Sequence, residues 1–476
     1  MNKQFINGQW VNAIDGHTHE LINPATEEVL HTISYGNDKD CIIAIEAAQE
    51  AFRKWKLTTP YTRATILKKA ADYLRENLDE IARDMVLESG KPLAEARGEF
   101  TVAANLFEWY AEEGKRAYGK VIPTNRTDKR SSVIWQPLGV VGVITAWNFP
   151  AYNPARAWAA ALAAGCTVVA KPSESTPLSA YHMAKALEQS GLPAGVLNVL
   201  TGESSSIGQA MLDHPLLKKI SFTGSTRVGK ILMDGASRTH TKLALELGGN
   251  APVLIFEDVD VTAVAKSAAL ARFRNNGQVC IAPQRFYVHH KIYHQFAEAV
   301  TAYVAAIKVG QGFEEGVQVG PLITKKQRDS VLELLEKTRQ EQANILTGGN
   351  IPADKPNGYF LQPAVVSGLD QDSTLARNEI FGPILPLFSF TDAEDAIKKA
   401  NDTEYGLAAY LFTNNLNTAI HVSEQLEFGM VGINEWAPHG TESPFGGWKY
   451  SGQGHESGSE GLFEYMEKKL ISIGGL

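Results

Sequence analysis

Cysteine is scarce in this chain: Cys41, Cys166 and Cys280 stand far apart among 476 residues. Thiols so few and so scattered exclude a disulfide framework and a zinc site, and a reducing cytoplasm is the expected compartment. Long hydrophobic runs are also missing. The nearly apolar stretch PLGVVGVITAW has about half of the roughly 20 residues that a membrane-crossing helix needs, so no membrane association is expected. The opening MNKQFINGQWVN carries neither the apolar core of a secretion signal nor an arginine-rich amphipathic leader. Positive charge is short too. A net charge of −8 leaves no basic patch for nucleic acid or an anionic membrane, although one or two local arginines would suffice for a small anion. Internal repeats and low-complexity tracts are absent.

What is present describes a globular protein with a large core: 44% of residues are hydrophobic and 21% charged. The length favours two or three domains. Leu67, Ala71, Leu74, Leu78, Ile81 and Met85 recur at steps of four and three, which predicts one helix face turned to the core. From Val140 the pattern changes to short apolar runs separated by helical segments: VVGVITA, PARAWAAALAAG, TVVAK, LSAYHMAKALEQS, VLNVL, KISF, RVGKILMDGAS, KLALEL. This alternation predicts a doubly wound parallel sheet with helices on both faces and ligands at the C-terminal strand ends. Those ends carry Asn148, Lys171, Gly202, Gly224 and Glu246. A second α/β unit is expected from about Gly249, with strands at APVLIF, RFYVH, AAYLFT and MVGIN. The glycine-rich PFGGWKYSGQGHESGSEG is interleaved with aromatic residues and should be ordered.

The stretch SFTGSTRVGK approaches a P-loop, with Gly224, Gly229 and Lys230 in register, but Ile231 stands where a magnesium-binding hydroxyl belongs. No convincing carboxylate ends an apolar strand to complete an NTPase. A glycine turn between a strand and a helix can still receive a pyrophosphate on its backbone amides, which favours a dinucleotide even though G-x-G-x-x-G is missing.

The stretches ITAWNFP, AGCTVVAKPSESTPL, FTGST, LELGGNAP, FRNNGQVC, EIFGP and PFGGWKYSGQGHE, in this order and spacing, resemble the aldehyde dehydrogenase superfamily over essentially the whole chain. The resemblance implies an α/β fold with a doubly wound NAD-binding domain (residues 1–117 and 138–247), an α/β catalytic domain (248–445), and a β-hairpin oligomerisation arm with a C-terminal tail (118–137 and 446–476). A homodimer or homotetramer assembled through that arm is expected, and SSVIW has its alternating character.

Oxidising an aldehyde by hydride transfer requires a nucleophile to add first to the carbonyl, and a thiolate suits because its thioester is readily hydrolysed. Taken alone, Cys280 would be a core cysteine, Glu246 a surface residue at a strand end, and Asn148 as readily a turn residue before Phe149-Pro150 as a functional one. The resemblance makes Cys280 the nucleophile, Asn148 with the Cys280 amide the oxyanion hole, and Glu246 the base for thioester hydrolysis. Gly277 before Gln278 should allow close approach to the thiol. It also implies that Lys171 and Glu174 hold the adenosine ribose, that Gly224 and Ser225 lie near the pyrophosphate, and that Trp147 and Leu247 surround the nicotinamide end. Glu379 would hold the nicotinamide ribose, with Phe381 flanking the ring. A carboxylate at Glu174 favours NAD over NADP, while Lys171 and Ser173 would accept a 2′-phosphate if Glu174 turned away.

The chain most resembles succinate-semialdehyde dehydrogenases and enzymes for longer carboxylated semialdehydes, in which arginines matching Arg156 and Arg274 hold the distal carboxylate. An arginine on the apolar helix PARAWAAAL needs either a substrate anion or an internal Asp or Glu. A serine expected before PFGG is replaced by His439 and Gly440, with Trp436 nearby, which leaves glutarate and 2-oxoglutarate semialdehydes or a neutral aldehyde open. Ala282 stands where a second cysteine would form a redox disulfide with Cys280. Glu246 argues for hydrolysis over transfer to coenzyme A, and the catalytic set argues against a non-catalytic nucleotide-binding protein.

Overall fold

The computed structural model describes residues 2–476. Five parallel strands form the centre of the first sheet, in the order Leu197–Val199, Thr167–Lys171, Val140–Ile144, Leu217–Thr223, Lys242–Glu246. In chain order these are the third, second, first, fourth and fifth, so the winding reverses beside Val140–Ile144. A crevice opens where neighbouring connections leave in opposite directions, at the C-terminal ends of the first and fourth strands. Strands covered on both faces must be apolar throughout, which explains the unbroken VVGVI and TVVAK.

The helix Tyr152–Ala164 leaves this crevice and is buried from Asn153 to Ala164. Its alanines let it lie close to helix Leu93–Glu113 and to the sheet, and Gly165, at φ 96°, ends it in a left-handed cap.

The apolar stripe from Leu67 to Met85 spans two helices, Pro60–Glu76 and Leu78–Ser89. Asn77 separates them, its side-chain amide donating to the Tyr73 carbonyl at 2.8 Å. Both helices face one core, so the periodicity runs on while the asparagine side chain competes with the helical backbone.

The second sheet orders Ala364–Ser367, Ile384–Phe390, Pro283–His289, Ala251–Ile255, Ala408–Phe412 and Met430–Ile433 in parallel, with Asn344–Thr347 antiparallel at one edge. A third sheet pairs Lys120–Ile122, Lys129–Pro137 and Met466–Gly474, all antiparallel. Residues 446–476, grouped on sequence with the arm, divide their allegiance. Gly452–Gln453 extends the first sheet beside Lys242–Glu246, helix Gly458–Phe463 packs on Tyr152–Ala164, and only Met466–Gly474 joins the third sheet. Among the described residues no helix is long and apolar enough to cross a membrane, and no cluster of three or more His, Cys, Asp or Glu side chains could hold a metal ion.

Candidate active site

The crevice is a cleft of about 500 Å3. From the first strand's end it is lined by Trp147 and Asn148, from the fourth by Thr223, Gly224 and Ser225, and from the fifth by Glu246 and Leu247. The second α/β unit supplies Cys280, Glu379 and Phe381. Residues from distant stretches of sequence therefore meet in one space.

The strand-helix side of the cleft fits a dinucleotide. Helix Thr226–Ala236 begins at Ser225, whose side chain caps it by accepting from the Val228 amide at 3.4 Å. Helix-start amides and the positive end of the helix dipole suit a pyrophosphate. A Cβ at Gly248 would press to 2.6 Å from Glu379 Oε2. Trp147 and Phe381 meet edge to face at 5.5 Å. Phe381 holds φ 45°, a left-handed conformation costly for a bulky side chain; Gln327 Nε2 secures it by donating to the Phe381 carbonyl at 2.9 Å. Burial pushes the Glu379 carboxyl up to about 7 against a donation from the Gly249 amide.

Lys171, Ser173 and Glu174 stand outside this lining. Lys171 donates to Glu174 at 2.8 Å and to Ser204 Oγ at 2.7 Å. Burial raises the Glu174 pKa, but Lys171 outweighs it and the carboxyl stays below its ordinary range. Ser173 Oγ accepts from the Ser175 amide at 3.2 Å, closing the local turn.

The cysteine loop is built from residues that tolerate left-handed backbone. Asn275, Asn276 and Gly277 have φ of 47°, 58° and 70°. A Cβ at Gly277 would lie 2.5 Å from the Gly382 carbonyl, so this glycine serves its own φ and the neighbouring EIFGP turn rather than access to the thiol. The glycine that does crowd the nucleophile is Gly249, where an added Cβ would collide with the Cys280 carbonyl. Arg272 ties the two loops together by donating to the carbonyls of Gly382 and Ile384 at 2.6 and 2.5 Å.

Asn148 is buried and held at both ends. Its backbone carbonyl accepts from Lys91 Nζ and from Asn275 Nδ2, each at 2.9 Å. Its side-chain Nδ2 donates to the Gln278 carbonyl at 3.0 Å, and its Oδ1 accepts from Asn153 Nδ2 at 3.3 Å. Lys91 in turn pairs with Glu99 at 2.5 Å, both side chains 1% exposed. Glu99 also accepts from the amides of Ala151 and Tyr152 at the start of the buried helix.

Glu246 is 3% exposed, far from the surface position its strand-end location suggested. Burial raises its pKa well above the usual carboxyl value, and the nearby Glu456 charge raises it further while Arg156 opposes both. Its Oε2 has no hydrogen-bond partner. Burial likewise pushes the Cys280 thiol up to about 12, with Arg156 pulling down and Glu246 pushing up.

Arg156 has found an internal anion. Its Nε lies 2.9 Å from Glu456 Oε2, both side chains buried, and its guanidinium sits 4.2 Å from the Phe445 ring and 4.7 Å from that of Tyr152. That close approach is not aligned as a hydrogen bond: Nε, Nη1 and Glu456 Oε2 all lack one. Arg274 differs in being exposed, its guanidinium 5.4 Å from the Phe149 ring. Burial, then the charges of Arg274 and Arg156, push His439 down to about 4, so it is neutral at pH 7.

The sequence does not single out Lys91, Glu99, Asn153, Gln278 or Glu456. Glu456 ends a motif without any spacing that marks it. Glu95 and Glu99, four residues apart, share one face of helix Leu93–Glu113, which an ordinary solvated face would also show, and Lys91 lies before that helix.

A dinucleotide crevice that ends at a lone thiol beside a buried carboxyl group defines a dehydrogenase of aldehydes. Sequence comparison places the chain in that group: the description "Aldehyde dehydrogenase family" matches residues 10–471, and the chain belongs to this family. It is an NAD(P)-dependent oxidoreductase that oxidises an aldehyde. A glutarate-semialdehyde dehydrogenase of Pseudomonas putida is 42% identical, covering 98% of this chain and 97% of its own. The NADP(+) succinate-semialdehyde dehydrogenase GabD of Escherichia coli is also 42% identical, with 98% and 97% covered. Among solved structures, succinate-semialdehyde dehydrogenase from Burkholderia pseudomallei is similar at TM-score 0.98 and 43% identity, covering 100% of this chain and 98% of its own. Betaine aldehyde dehydrogenase from Staphylococcus aureus in complex with NAD+ has TM-score 0.98 and 35% identity, covering 100% and 95%.

Proposed function

We propose that this enzyme oxidises a semialdehyde with a distal carboxylate, succinate semialdehyde foremost, with glutarate and 2-oxoglutarate semialdehydes as the alternatives. The observation that carries the reading is Arg156, buried yet keeping Nη1 without a hydrogen-bond partner. A substrate carboxylate satisfies that nitrogen, and exposed Arg274 supplies a second cation. The names of the relatives just described support the same substrate class. One observation favours broader specificity: Glu456 already offsets the charge of Arg156.

In this reading the Cys280 thiolate attacks the aldehyde carbon, forming the C–S bond as the carbonyl π pair moves onto oxygen. Asn148 Nδ2 and the Cys280 amide stabilise that oxyanion, where preorganised donors act most strongly. A dinucleotide held with its nicotinamide end at Trp147, Leu247, Glu379 and Phe381 would supply the hydride acceptor needed as the carbonyl re-forms. Glu246 then takes a proton from water, whose oxygen attacks the thioester; the C–S bond breaks and the acid departs. Burial raises the pKa of both Cys280 and Glu246, so each must release its proton to solvent before it acts, the thiol to become the attacking thiolate and the carboxyl to become the base. Lys171, Ser173, Glu174, Gly224, Ser225, Leu247, Trp147, Glu379 and Phe381 are assigned to the cofactor. An ionised Glu174 favours NAD, since it accepts ribose hydroxyls and repels a 2′-phosphate.

We further propose a cytoplasmic homodimer or homotetramer assembled through the third sheet, whose strands expose Val121, Leu470 and Ile473. Light scattering of the purified enzyme tests this; a monomer would refute it.

The substrate test is reduced-cofactor formation from NAD and NADP with succinate, glutarate and 2-oxoglutarate semialdehydes beside acetaldehyde and betaine aldehyde. The carboxylated compounds should have the highest kcat/KM, with NAD preferred and Glu174→Gln moving the cofactor ratio toward NADP. Neutral aldehydes outranking every carboxylated one would sink the arginine argument.

A further inference from the structure

We propose that Asn153 is a positioning residue that sets which end of the Asn148 amide faces the cleft. The inference rests on the reading of Asn148 as an oxyanion donor and adds the device that orients it. An asparagine side chain is nearly symmetrical in shape but not in chemistry: turned one way it offers N–H donors to a developing oxyanion, and turned the other way an oxygen that repels it. Something must choose between the two.

The choice is made by a hydrogen-bond chain with fixed polarity. At one end stands the guanidinium of Arg156, which can only donate; its Nη2 reaches Asn153 Oδ1 at 3.2 Å. Asn153 must therefore turn its own Nδ2 outward, and it donates to Asn148 Oδ1 at 3.3 Å. Asn148 in turn directs its Nδ2 to the Gln278 carbonyl at 3.0 Å, and a carbonyl can only accept. Between an obligatory donor and an obligatory acceptor, both amides have one consistent orientation. The second N–H of Asn148 Nδ2 is then left for the substrate oxygen. Asn148, Asn153, Arg156 and Gln278 are all buried, where an inverted amide would leave polar atoms unpaired or opposed.

Helix geometry makes the relay possible. Asn153 and Arg156 are three residues apart on the helix Tyr152–Ala164, hence on one face. Glu456 and the rings of Phe445 and Tyr152 hold the guanidinium that starts the chain. Arg156 thus acts on the chemistry through its inner edge, separately from any contact between its free Nη1 and a substrate.

The test compares Asn153→Leu and Asn153→Ala with Asn148→Ala and with the double variant Asn148→Ala/Asn153→Leu. Substrates are succinate semialdehyde and acetaldehyde, and rates are normalised to active sites counted by the pre-steady-state burst of reduced cofactor. Losing one neutral hydrogen bond should lower kcat about tenfold for both aldehydes in each Asn153 variant, with KM for NAD unchanged. The double variant should be no slower than Asn148→Ala, because an amide that is absent cannot be misoriented. Three results overturn the proposal: unchanged kcat in both Asn153 variants while Asn148→Ala collapses, losses that multiply in the double variant, or a loss confined to the carboxylated aldehyde. If Asn148→Ala itself keeps full kcat, the oxyanion assignment fails and the relay with it, a pattern distinct from the other three.

Discussion

The helix Tyr152–Ala164 and the loop Arg274–Cys280 each carry one arginine, both outside the lining of the cleft, and they hold it in opposite ways. On the helix the arginine is buried with Glu456, Asn153 and two aromatic rings. On the loop it is exposed, while consecutive left-handed residues and side-chain hydrogen bonds fix the backbone around it. The contrast separates two uses of one residue type. A buried charge is tied into the framework, since removing it strands its partner, and only a nitrogen it leaves unpaired is open to a ligand; an exposed charge can be given over to a ligand whole.

The largest expected effect isolates the loop's covalent role: Cys280→Ser should lower kcat by at least about 10^4-fold, with thermal stability kept, as nucleophile removal does in other covalent enzymes. Mass spectrometry of a trapped acyl-enzyme should find the adduct on Cys280, and an acyl group on any other residue contradicts the scheme.

Next comes the arginine comparison itself. Arg156→Met should lower stability by about 3 to 5 kcal/mol, the cost of leaving Glu456 buried and unpaired, and should slow both classes of aldehyde, the carboxylated ones more because Nη1 is lost as well. Arg274→Ala should leave the melting midpoint nearly unchanged and raise KM for carboxylated aldehydes by roughly 10- to 100-fold, with neutral ones spared. Equal thermal shifts in the two variants would erase the distinction between framework and ligand charge.

The smallest effect concerns pH. The Glu456 charge raises the pKa of Glu246, so Glu456→Gln should lower that pKa and let the base ionise at a lower pH. The acidic limb of the kcat profile then moves down in pH. Arg156→Met removes the opposing cation and should move the same limb up. A limb that stays fixed in both variants would assign it to another group.

Much of this was legible before any coordinates. The apolar runs from Val140 onward gave the parallel sheet and its crevice, because strands buried on both faces have little freedom in composition. The motifs around Asn148, Glu246 and Cys280 identified residues that the fold brings to one cleft. Other features resisted. The stripe over Leu67–Met85 concealed the break at Asn77, since hydrophobic period reports the face and not the continuity of a helix. Gly277 was noticed for the wrong neighbour, because a glycine's need for space depends on what packs against it.

By itself the sequence determined the winding of the first sheet, because strands buried on both faces show in local apolar runs, and the family and kind of cofactor, because ordered motifs along the whole chain carry the resemblance. Only the tertiary structure decided the burial and the partners: that Glu456 meets Arg156, that Lys91 and Asn275 grip the Asn148 carbonyl, and that Asn153 Nδ2 donates to the Asn148 side-chain oxygen. Those properties arise from burial and from partners far apart along the chain, and electrostatic interaction in a low-dielectric interior depends on distance through space rather than on order in sequence.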